Sequence, residues 1–190
     1  LSTSAPKVLK NKTFMLFVLI ESFAFMAMFA YIAASPFVFQ EFYGLSSLAF
    51  SLCFGVNGAA LVVGSNLGGR LNNSKAVKMG VFGTLVTAVY VATALVLQVN
   101  VWLLEAGFFA MLLMIGVMLP ALATLAMSAE KTYAGSASAL LGFMVFAFGA
   151  IISPMVGLGD IFISSAIAIV LSSLLALACY ALVVKKIGRV

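Results

Sequence analysis

Six runs of nearly uninterrupted apolar sequence, each about as long as a bilayer is thick, constrain this chain more than any motif in it. A hydrocarbon layer about 30 Å thick needs roughly 20 apolar residues per helical crossing. Runs of that order fall at 13–34, 47–71, 76–98, 100–127, 134–157 and 161–184. In lipid every backbone polar group must be bonded within the protein, so a spanning segment is a helix or part of a closed barrel. Continuous runs, rather than alternating ten-residue ones, predict helices. Composition removes the soluble alternative. Only 8% of the residues are charged and 65% are hydrophobic, where a water-exposed domain carries about 25% charged residues. The expected fold is all-α and integral to the membrane, a bundle of six transmembrane helices with the lipid bilayer as its solvent.

The charges assign an orientation. Lys7, Lys10 and Lys12 precede the first run, and Arg70, Lys75 and Lys78 surround the second connection. Lys131 lies in the fourth connection, and Lys185, Lys186 and Arg189 follow the last run. These are all 10 basic residues, and every one falls on the same side. The other side carries Glu41 and Asp160 and no basic residue. Basic flanks stay in the cytoplasm, so both termini of this multi-pass protein are expected there. This confinement also accounts for the net charge of +5 without invoking nucleic acid.

The organisation reads as a polar, basic cytoplasmic linker remnant (1–12), a first three-helix repeat (13–98), and a second repeat with its basic cytoplasmic tail (99–190). Two helix triplets of opposite topology are how the halves of many secondary carriers are built, so a 3+3 inverted repeat is expected. The chain begins at Leu1 rather than Met, which reads as a piece of something longer.

Few residues could carry chemistry. Glu21 lies about 12 Å into the first run at 1.5 Å per residue, where an ionised acid costs about 2.5–3.5 kcal/mol. It should face protein or water, and can bind a proton instead. Phe25, Met28 and Tyr31 continue its face at helical spacing, a mixture suited to apolar or cationic solutes. The competing reading is a snorkelling acid or a plain interhelical hydrogen bond. Asn57, flanked by Gly55 and Gly58, is either such a bond or a solute ligand. Glu105 beside Trp102 reads first as an ordinary headgroup-level residue, with a transport role as the lesser alternative. Met111, Met114 and Met118 form a stripe that either packs or lines a cavity. Pro120 removes a backbone hydrogen bond and bends its helix. Gly64 with Gly68, and Gly149, Ser153 and Gly157 with Pro154, mark faces for close helix packing or gating.

Enzymatic patterns fail. Gly157 to Asp160 spells GLGD, as in intramembrane aspartyl proteases, but that chemistry needs two carboxylates sharing a proton, and Asp160 is the only aspartate. The chain has no His, and Cys53 and Cys179 lie inside apolar runs without metal-ligand spacing. No catalytic residue, metal or cofactor is expected.

Ala30 to Phe39 (AYIAASPFVF), followed by Phe42-Tyr43-Gly44, resembles the end of the seventh helix of Bcr/CflA-type drug-resistance transporters of the major facilitator superfamily. Leu119 to Met127 and Ala134 to Gly142 are similar to their tenth and eleventh helices. Gly64 to Lys75 (GSNLGGRLNNSK) resembles a degraded copy of the superfamily's cytoplasmic loop motif, with Gly69 where the better-formed copy has an acid. Gly149 to Gly157 resembles the Gly-Pro-rich antiporter motif. The resemblance implies the C-terminal six-helix half of a twelve-helix secondary carrier, exporting small apolar or amphipathic drugs in exchange for protons. Its partners would be the N-terminal half (or a second copy), the solute and protons. The first and fourth helices would line the cavity, and the family's usual proton-coupling acids lie largely in the other half. Two alternatives are a self-sufficient homodimeric half-transporter and a non-transporting membrane scaffold.

Overall fold

The structure is a computed structural model, described for residues 5–188; residues 1–4 and Arg189 with its neighbour lie outside the described residues. Its helices are α1 (Ala5–Leu9), α2 (Lys12–Pro36), α3 (Ser47–Gly69), α4 (Asn73–Val96), α5 (Val101–Ala129), α6 (Ala134–Val156) and α7 (Ile161–Ile187), and there is no strand among the described residues. Helices α2 to α7 are long and apolar enough to cross a membrane.

Local chemistry places the helix starts. The side chain of Asn11 accepts from the Phe14 amide, Ser46 from Ala49, Asn72 from Ser74 and Asn100 from Trp102. Asp160 accepts from both Phe162 and Ile163. Each cap satisfies amides that the first helical turn leaves without partners. Five of the six long helices therefore begin where a polar residue meets an apolar run; Tyr133, before α6, makes no such bond.

The first span runs further than the apolar run suggested. Pro36 has no amide hydrogen to offer the Ile32 carbonyl, and the Ser35 hydroxyl donates to that oxygen instead at 3.2 Å. The chain then continues as a wider π-helical turn, Phe37–Phe42, and leaves it at Gly44, whose φ of 70° favours glycine.

Packing joins the two triplets rather than separating them. Helix α5 lies against α3 and α4, α2 lies against α6 and α7, and α4 packs on α7, with α2 and α5 meeting at the centre. Within each triplet, neighbours in sequence touch little, so 13–98 and 99–190 are interleaved parts of one bundle. The pattern reads the same from either triplet: each first helix packs on the second and third of the other.

Helices α3 and α5 approach to backbone contact. A methyl group at Gly64 would overlap the Leu113 carbonyl, one at Gly68 the Val117 carbonyl, and one at Gly116 the Leu61 carbonyl. The Ser65 hydroxyl donates to the Gly116 carbonyl at 3.3 Å. That is the carbonyl that Pro120, four residues on, leaves without its helical donor. On the other side, Gly149 of α6 sits against the Phe29 ring. Ser153 bonds back to the Gly149 carbonyl of its own helix, and Pro154 and Gly157 are exposed.

At the basic end the linker is folded. Val8 of α1 is fully buried. Lys7 donates to the Tyr133 hydroxyl, and Asn11 donates to the Ala129 carbonyl and to Glu130. At the opposite end the Tyr43 hydroxyl donates to the Val99 carbonyl, and burial pushes the Tyr43 phenol above its ordinary pKa.

Candidate functional site

Three helices contribute one polar cluster. Asn57 of α3 is fully buried, and its side-chain nitrogen donates to the Tyr31 hydroxyl of α2 at 2.9 Å and to Glu105 Oε2 of α5 at 3.0 Å. Both amide hydrogens are thereby used. Asn57 Oδ1 and Glu105 Oε1 are buried and have no hydrogen-bond partner among the described residues.

Beside this cluster lies a cavity of about 190 Å³ lined by Met28, Tyr31, Ile32, Phe54, Asn57, Gly58, Leu61 and Leu112. Its walls are apolar except for the Tyr31 hydroxyl and the Asn57 amide, the pattern of a small-molecule site with a few orienting polar groups. Five rings, Tyr31 among them, contact one another as a closed circuit. Tyr31 contacts Phe54 and Phe108 at centroid distances of 6.0 and 4.6 Å. Phe39 contacts Phe108 and Phe50, and Phe50 contacts Phe54. The cavity opens where α3 is exposed: Gly58 has open space above it, as does Gly55.

The residues singled out by sequence separate into groups. Met28, Tyr31 and Asn57 meet at the cavity. Glu21 is buried on α2, seven residues before Met28 and so on nearly the same helical face, about 10 Å along the axis. Its Oε2 has no hydrogen-bond partner among the described residues, and neither does the neighbouring Ser22 hydroxyl. Phe25 is half-buried, in contact with Phe29 on the side of α6.

The methionine stripe lies away from this cavity, and Met114 lines a separate one of about 540 Å³ between α4 and α5. Met114 packs on Gly83 and Met118 on Gly80, both of α4, and Met111 is fully buried in the core. The reason is helical phase: Leu112 faces the smaller cavity, and Met114 stands about 200° round the helix from it.

Glu105 is corrected in the other direction. Its neighbour Trp102 is exposed, as an interfacial residue is, but Glu105 itself is only 9% exposed and bonded to Asn57. Seven-residue spacing was the available signal: Glu105 and Leu112 lie on one face, and that face meets Asn57. A larger cavity of about 580 Å³ lies elsewhere, lined by Leu9, Lys12, Met15, Leu16, Leu19, Leu182, Lys185 and Lys186 at the basic end. No three metal-ligating side chains gather among the described residues.

A sequence profile of the Major Facilitator Superfamily matches residues 2–154. The chain is also similar to a Bacillus subtilis (strain 168) protein named "Uncharacterized MFS-type transporter YdgK", 34% identical over 157 residues. That match covers 80% of this chain and 39% of the relative, so the chain spans less than half of that protein's length.

Proposed function

This chain belongs to the Major Facilitator Superfamily, and from that premise we propose that it is the C-terminal half of a secondary active transporter exporting small apolar or amphipathic compounds in exchange for protons. The observation that carries the reading is the cavity of about 190 Å³ with buried Tyr31 and Asn57 in its wall, opening on an uncovered helix face. Drug-sized ligands occupy pockets of about 300–1,000 Å³, so this space is too small alone and suits one wall of a shared site.

The uncovered faces support a second bundle as the missing wall. Helices α3 and α6 are the least buried spans, 22% each against 56% for the first span. Gly55 and Gly58 of α3 and Gly135 and Gly142 of α6 have open space where a side chain would be. Glycine weakens a helix by about 1 kcal/mol relative to alanine, so four of them facing nothing within this bundle suit a close backbone neighbour outside it. Alternating access then consists of this bundle rocking against the other around a midplane site. The basic end would face the cytoplasm and the solute would leave at the other.

In this reading Glu21, buried on the face that leads to Met28, binds a proton, and Tyr31 and Asn57 orient the solute. In proton-loaded vesicles of the complete carrier, Glu21→Gln should retain solute binding and lose at least tenfold in proton-driven exchange. Exchange unchanged by that substitution would remove Glu21 from the mechanism; wild-type vesicles that move no proton with solute would remove the antiport.

A further inference from the structure

We propose that Glu105 and Asn57 form a proton-binding site in this half, closed in its protonated form as an acid–amide pair joined by two hydrogen bonds. Its part in coupling rests on the transport reading above. Its chemistry rests on the two oxygens that lack donors. Asn57 Oδ1 and Glu105 Oε1 are both buried without partners, and they belong to side chains already joined at 3.0 Å through Nδ2 and Oε2. An ionised carboxylate accepts only, so neither orphan can satisfy the other. One proton serves both.

The step is a simple addition. A proton from the aqueous phase at the end without basic residues adds to Oε1, and the new O–H donates to Oδ1. The Asn57 N–H goes on donating to Oε2. Nothing else is broken, and the charge on Glu105 falls from −1 to zero. Glu105 lies four residues into α5, roughly 6 Å from its start, so the proton has a short way to come.

The surroundings offer no other compensation for a negative charge. Residues 13–69 and 79–130 contain no Lys or Arg. On the helices packed against α5, the titratable groups toward the Glu105 end are Tyr31 of α2, Cys53 of α3 (one turn before Asn57) and Tyr90 of α4. Glu21 of α2 lies further along, and Lys12, Lys75 and Lys78 stand in the first turns of α2 and α4 at the opposite, basic end. Tyr90 is engaged with the Leu103 carbonyl at 3.1 Å and packs on Gly107. No cation stands at the Glu105 end. A buried acid with no cation to pair it is neutralised most directly by a proton.

The same amide touches the solute space. Asn57 lines the cavity and holds Glu105, so a solute that takes an amide hydrogen, or displaces Tyr31, alters the proton site without contacting the acid. Glu21 has no such link.

Infrared difference spectra between acid and alkaline pH test this on the complete carrier in lipid vesicles, read at the carbonyl stretch of a protonated carboxyl. The wild type should show a band that Glu105→Gln abolishes, that Asn57→Leu shifts, and that Glu21→Gln leaves in place. Glu105→Asp, which keeps a carboxyl, should retain a shifted band and guards against misfolding of the Gln variant. No titrating band assignable to Glu105 in the wild type, or a band unchanged by Glu105→Gln, overturns the proposal. A carrier that shows the band yet moves no solute supports the proton site and overturns only the transport reading.

Discussion

At the scale of single residues, the cluster's stability depends on Asn57 more than on either partner. Replacing it by Leu leaves Glu105 and the Tyr31 hydroxyl buried without their bonds. Such orphans cost about 1–3 kcal/mol, although bonds between helices in lipid average nearer 0.6 kcal/mol. Asn57→Leu should therefore lower the unfolding midpoint in detergent titrations, by more than Asn66→Leu. Asn66 is exposed and its amide bonds only to the Val62 carbonyl of its own helix. Equal effects of the two would deny the buried network. Tyr31 and Asn57 were legible in the sequence because polar groups in the middle of apolar runs need partners. Glu105 was not, because its partner lies 48 residues away and only the meeting of α3 with α5 brings them together. Spacing within one helix gives a face, but not what that face touches.

At the scale of helices, the glycines divide by what lies opposite them. Gly64→Val would drive a side chain into the α5 backbone, an overpacking that costs about 1–3 kcal/mol. Gly58→Ala meets open space and removes a helix-weakening residue, so the isolated bundle should be unchanged or steadier by up to about 1 kcal/mol. The proposed contact with a second bundle predicts that the same Gly58→Ala change impairs flux in the complete carrier. Guanidinium- or detergent-induced unfolding checks the first pair, and vesicle flux the last. Ser65→Ala should cost about 0.6 kcal/mol, the loss of one bond between helices, and should do so only while Pro120 leaves the Gly116 carbonyl free. The six spans and the close-packing pair Gly64 and Gly68 were legible in local sequence, whereas Gly157, expected on a similar face, is exposed and Gly116 was not singled out. The extension to Phe42 was not, since Pro36 reads as a helix stop and nothing in the run announces the π-helical turn that follows it. Nor could the methionine stripe be aimed: three methionines at helical spacing fix a face without saying whether α4 or a cavity lies opposite.

At the scale of the molecule, the interleaving of the triplets makes one bundle, and the charges give it two unlike ends. Single cysteines placed at Lys75 or Lys131, in a variant lacking Cys53 and Cys179, should react with an impermeant thiol reagent from one side of sealed vesicles. Cysteines at Glu41 or Asp160 should react only from the other. Labelling of Lys75 and Glu41 positions from the same side would contradict six crossings in this order. We propose that this bundle is half of a rocking carrier, a claim that flux in purified proteoliposomes decides. The chain alone should give no proton-driven solute movement, and the chain reconstituted with the six-helix partner half should give it. Proton-driven flux from the monomeric chain by itself would contradict the claim.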